Sequence, residues 1–203
     1  MRRSENARNG CYVHRLKGDE RGVAGIEFAL IAPILVLLLL GTVEASRALD
    51  IDRHFSTATS STGDAVARQE SLGDTQQQAT NNLKGLVRAV EHIMAPYGTK
   101  DLKYGVFAVQ ASPSSASDTK VVWSFSHNGM TVPAKCSNYP LPNGVVTKGG
   151  SVIVVEAEYP HKTMFGNFVP GFGSIGKFTE KTFHNPRNSC VDYVKSDNCM
   201  NPC

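Results

Sequence analysis

The sequence predicts an α+β protein: a long N-terminal transmembrane helix, then an amphipathic helix packed on a small antiparallel β-sheet. Three observations carry that expectation. Phe28–Val43 is a run of sixteen uncharged residues, eleven of them Leu, Ile, Val or Phe. Leu83, Leu86, Val87, Val90, Ile93 and Met94 fall at i, i+3, i+4, i+7, i+10 and i+11, the spacing of one helical face. After Gly98, runs rich in Val, Ile, Phe and Tyr alternate with Gly/Pro/Ser breaks, as strands alternate with turns.

The apolar run is long enough to be a membrane span. Its eleven large apolar residues favour the bilayer by roughly 3 to 7 kcal/mol together. Counted from Val23, the helix is about 31 Å long, which matches a hydrocarbon core. Glu27 is the one costly residue, and it lies near the end of the span. Six basic residues (Arg2, Arg3, Arg8, Arg15, Lys17 and Arg21) precede the span, whereas Arg47 and Arg53 follow it. The excess keeps the N-terminus cytoplasmic and sends the rest of the chain across the bilayer. A cleavable secretory signal has a shorter apolar core and a small-x-small site at its far end. Val43-Glu44-Ala45 matches that pattern poorly, so a retained helix is expected. Pro33 frees the Ala29 carbonyl and is a candidate kink.

These residues resemble a family. A basic leader ending in Gly22, Glu27 at the fifth position after it, then Phe28 and Ala29-Leu30-Ile31-Ala32-Pro33, look like the processing site and helix of TadE-like minor pilins or pseudopilins of tight-adherence (Flp) type IV pilus systems. The resemblance is specific over about thirty residues and general over the remainder. It implies cleavage between Gly22 and Val23 by a prepilin peptidase, with the helix kept in the mature chain. It also implies partners: other pilin or pseudopilin subunits, the Tad inner-membrane assembly platform and the lipid bilayer. The implied location is the inner (cytoplasmic) membrane, single-pass, with a periplasmic or extracellular C-terminal domain associated with the pilus. Glu27, Phe28 and Pro33 become candidates for setting helix register during assembly. Val23 would carry a free ammonium one helical turn from Glu27, and an unpaired carboxylate in an apolar bundle is costly, so pairing would select register.

Charge agrees with this division. The chain has 21 basic and 18 acidic side chains; residues 1–22 hold six and three of them, leaving fifteen of each sign. A neutral mature chain has no general attraction to nucleic acid, and no nucleic-acid partner is expected. Cys11 lies in the leader, whereas Cys136, Cys190, Cys199 and Cys203 follow the helix. An even number of cysteines in an exported domain points to disulfides. Zinc is the competing use, but neither half of the set has tight C-x2-C spacing, so no metal is expected. Three pairings are possible. The long-loop argument favours Cys136 joined to one tail cysteine and the other two joined within the tail.

The expected organisation is a leader over 1–22, a membrane helix over 23–45, a helical extension over 46–72 and an α+β domain with a disulfide-rich tail over 73–203. The extension is expected to weaken near Ser60–Gly63. Asp74 is the expected N-cap of the amphipathic helix, with Gln77 at N3. Strands are expected at 102–110, 119–126, 151–159 and 175–183, and 128–150 is a long loop holding Cys136. That plan resembles a pilin, although sheet logic alone leads to it.

No catalytic constellation or cofactor is expected. Gly171-Phe172-Gly173-Ser174-Ile175-Gly176 matches G-x-G-x-x-G, but a dinucleotide loop must run from a strand into a helix, and a β-like segment follows here. The histidines are scattered, and Glu156 and Glu158 read as a solvated strand edge. Two rivals remain: a signal-anchored envelope protein with a binding ectodomain, identified by an uncleaved Gly22, and a secreted enzyme, which requires cleavage near Ala45.

Overall fold

The computed structural model describes residues 22–165, 176–195 and 199. The chain divides after Ala45 into two compact units. The first is built on the opening turns of helix α1 (Val23–Ala67). Between Val23 and Val43 its large apolar side chains other than the half-buried Leu40 are exposed, Leu30 at 71% and Leu39 at 62%. The helix is long and apolar enough to cross a membrane. It runs through Pro33 without a break.

The second unit holds the rest of α1, helix α2 (Gln76–Ile93) and four strands: β1 (Lys103–Ala111), β2 (Thr119–His127), β3 (Ser151–Pro160) and β4 (Lys177–His184). Ile51, Phe55, Ala58 and Val66 form a buried stripe on α1 and belong to the domain core. The expected weakening at Ser60–Gly63 does not occur. Thr59 and Thr62 are buried, and their hydroxyls donate to the Phe55 and Ala58 carbonyls at 2.8 and 3.0 Å. These bonds satisfy the two buried hydroxyls within the helix itself. Gly63 packs against the ring of His184, which a Cβ would overlap.

The cap of α2 is one residue later than expected. Thr75 is the N-cap, its Oγ1 accepting the Gln78 N–H at 3.3 Å, and the Gln78 side chain accepts the Asp74 N–H at 3.1 Å. The Thr75 bond is the forward half of a capping box, but the return bond from Gln78 goes to the N–H before the cap and not to that of Thr75 itself. Ala79, Leu83, Val87 and Val90 are buried on α2, whereas Leu86 and Ile93 are only partly covered.

The sheet is wholly antiparallel, in the order β2-β1-β3-β4. A register shift between Ala108 and Val109 accommodates the additional residue Val122 on β2, as a bulge does. Val121 then belongs to one face of the sheet, while Val122 and Trp123 both join the helix-side core. Tyr104, Val106, Ile153, Val155 and Ala157 complete that core.

The opposite face is also covered. Since β3 lies beyond β1, the chain leaving β2 must cross the sheet to reach it. The 128–150 segment makes this crossing and lays Val132, Tyr139, Leu141 and Val145 over Phe107, Val109, Val121, Val152 and Val154. The segment also pairs with the outer edge of β2: Cys136 N–H donates to Val121 O (2.8 Å) and Val121 N–H to Ser137 O (3.0 Å).

Candidate functional site

The residues proposed for processing and assembly stand together at the start of α1. Gly22 immediately precedes the helix and Val23 is its first residue. Glu27 lies four residues on, one turn away on the same side. Val23 is 49% exposed and Phe28 67%, and Glu27 and Pro33 are exposed too. An isolated apolar helix carrying one carboxylate is therefore what this segment offers to lipid or to neighbouring helices. The leader, Met1–Arg21, lies outside the described residues.

Where α1 enters the domain, polar groups close around Tyr97. Its hydroxyl donates to Asp50, the Arg47 guanidinium lies 6.0 Å from its ring centre, and the His54 ring meets it edge-on at 5.9 Å. The bond to Asp50 raises the Tyr97 pKa. His54 Nδ1 is 2.8 Å from the Ile93 carbonyl oxygen, which ties α1 to the end of α2. Sequence reasoning missed this cluster because Tyr97 is more than forty residues from Arg47, Asp50 and His54, and the four form no motif.

Further along, Tyr104 donates to the Thr59 carbonyl at 3.4 Å, and its burial raises its pKa. His184 sits beside Gly63 with Nε2 buried and without a hydrogen-bond partner; burial lowers its pKa although Asp64 acts in the other direction. Asp64 is held below the usual carboxylate range by its bond from Arg68.

Glu156 and Glu158 do not lie on a sheet edge, because β3 is flanked by β1 and β4. Glu156 accepts the Tyr139 hydroxyl at 2.6 Å and pairs with Lys181 at 3.1 Å, while Glu158 pairs with Lys177 at 2.7 Å. Burial and the bond to Glu156 raise the Tyr139 pKa. These carboxylates hold the outer face of the sheet together through specific partners.

The cysteines are placed as follows. Cys190 and Cys199 form a disulfide, with Cα atoms 6.1 Å apart, so their sulfurs are not thiolate donors. Asp192 Oδ1 accepts the Cys199 N–H at 2.9 Å inside that ring. Cys136 is disulfide-bonded as well, with a left-handed backbone (φ 64°), and Cys203 lies outside the described residues. The tail is strapped to the domain: Leu72 N–H donates to Asp192 O (2.9 Å) and Asp192 N–H to Glu70 O (3.0 Å). Trp123 Nε1–H reaches Val191 O at 2.8 Å. Of the G-x-G-x-x-G segment, Gly176 is described, and strand β4 follows it where a dinucleotide loop would open a helix.

No curated protein and no solved structure matches the chain. Residues 22–63 match the family described as TadE-like protein. The match opens at the residue before α1, covers the apolar run, and closes at Gly63 beneath His184. The exposed helix and the turns that follow it, residues 22–63, are therefore similar to TadE-like proteins.

Proposed function

We propose that this protein is a minor pilin or pseudopilin that takes part in assembling a Tad (Flp-type) pilus, and through it in adhesion. The observation that carries the reading is the family match over 22–63 on a helix whose membrane-length apolar run is largely exposed. The chain spans the inner membrane once, N-terminus inside, with the α+β domain on the far side, as the Lys/Arg asymmetry directs. A prepilin peptidase cuts after Gly22, next to the basic leader. The new Val23 ammonium and the Glu27 carboxylate then neutralise one another within one helix or between neighbours, and this fixes the register in which α1 packs against other subunits of the assembly platform. The domain acts as a rigid, disulfide-closed body carried by that helix.

N-terminal sequencing and intact mass of the membrane-extracted protein test this reading. The expected N-terminus is Val23, and Gly22→Val should leave the 22-residue leader attached. An N-terminus at Ala45 or Ser46, or a native chain left uncut at Gly22, overturns it.

A further inference from the structure

The disulfide-bonded cysteines of the domain stand in unlike surroundings. Cys190 and Cys199, joined to each other, are 6% and 5% exposed. Cys136 is also disulfide-bonded, and it is exposed. With Cys190 and Cys199 taken, the cysteines left to pair with it are Cys11 and Cys203. Geometry favours the tail. Trp123 on β2 donates its indole N–H to Val191 O at 2.8 Å, and two residues back Val121 O accepts the Cys136 N–H at 2.8 Å. Lys135 and Val194 line one cleft with Trp123 and Tyr193. The turn that carries Cys136 and the described part of the tail therefore meet beside β2. Cys203 is four residues beyond Cys199, a reach of up to about 14 Å.

That turn does not depend on its disulfide. Ser137 donates its N–H and its hydroxyl to Ala134 O at 3.1 and 2.6 Å, and Cys136 takes a left-handed backbone at φ 64°. Around it the crossing segment is fastened to β2 by main-chain bonds: Cys136 N–H to Val121 O, Val121 N–H to Ser137 O at 3.0 Å, and Tyr139 N–H to Thr119 O at 3.1 Å. Opening the bond at Cys136 thus frees the chain end and leaves the segment in place. Disulfide exchange needs a thiolate in contact with a sulfur, so an exposed bond is attacked directly, whereas a buried one must wait for local opening.

We propose that Cys136 is the thiol-exchange site of the domain: it is joined to Cys203, and an external dithiol opens this bond while Cys190–Cys199 stays closed. The dithiol's thiolate bonds to Cys136 Sγ, the old S–S bond breaks, and its electron pair leaves on Cys203, which takes up a proton. The second thiol of the dithiol then displaces Cys136 as a thiolate. The dithiol ends as a disulfide, and the pair Cys136 and Cys203 gains two electrons. The choice of Cys203 over Cys11 rests on the proposed function, which places Cys11 across the membrane and removes it with the leader.

The test treats the detergent-solubilised full-length protein with dithiothreitol, quenches samples over time with iodoacetamide and maps the labelled peptides. Cys136 and Cys203 should be labelled together, at least about ten-fold faster than Cys190 and Cys199, since an opening that costs about 1.4 kcal/mol already slows attack ten-fold. Trp123 emission should hold constant through that first phase, because its partner Val191 lies in the ring that stays closed. In Cys203→Ser, Cys136 should be labelled without reductant and the Cys190–Cys199 peptide should remain linked. Labelling of all four cysteines in step, or of Cys190 and Cys199 first, overturns the exchange site and leaves the pilin reading untouched. A Cys11–Cys136 linked peptide overturns both.

Discussion

Leu83→Ala is the sharpest test of how the domain is packed. Leu83 is 1% exposed, in the middle of the α2 face that meets the helix-side core, among the largest fully buried side chains of the domain. Truncation removes three carbons and leaves a cavity between α2 and a sheet that is itself wedged against the crossing loop, so little collapse is available. Such a site costs about 2 to 5 kcal/mol. Leu86, one turn along but only partly buried, keeps much of its surface in water, and its truncation should cost about 1 kcal/mol. At about 2 to 4 °C per kcal/mol for a domain of this size, the two variants separate by several degrees in Tm. The single tryptophan, Trp123, is buried in the same core and bonded to the tail, so its fluorescence in the detergent-solubilised full-length chain reports the transition directly. Equal shifts for Leu83→Ala and Leu86→Ala would refute the placement of α2 on the sheet.

Four further outcomes can be measured. Gly63→Ala forces a Cβ into the His184 ring and should cost about 1 to 3 kcal/mol; the double variant with His184→Ala should recover most of that loss. His184 is held neutral by burial, its pKa lowered from 6.5. The unfolded chain takes up the proton first as pH falls, so stability is complete above 6.5 and declines below it towards the folded value. Denaturant midpoints either side of 6.5 should show that decline, and His184→Gln should flatten it. Opening the Cys190–Cys199 ring with a double alanine variant should cost about 2 to 3 kcal/mol and expose Trp123, read as a red-shifted emission. Glu27→Ala should leave processing and membrane residence largely unchanged while impairing assembly with partner subunits; normal pili in that variant would show that the carboxylate only marks the end of the span.

Most of the architecture was legible because its signals are local. An uninterrupted apolar run with lopsided flanking charge specifies a span by transfer energy alone, and the 3.6-residue recurrence from Leu83 to Met94 specifies a face. Tertiary structure decided what depends on residues distant in the chain. Strand order put β3 inside the sheet, which turned Glu156 and Glu158 from an apparent solvated edge into half-buried partners of Tyr139, Lys181 and Lys177. The same order required residues 128–150 to cross over β1, and they do so on the face away from the helices. Burial of Ala58, Thr59, Thr62 and Val66 against the domain kept α1 helical through a stretch whose intrinsic propensity is weak. The meeting of Arg47, Asp50 and Tyr97 likewise arises only on folding. Burial and pairing energies between distant segments exceed the fraction of a kcal/mol per residue that separates local preferences; the long-range contacts therefore set these features, and no window of sequence contains them.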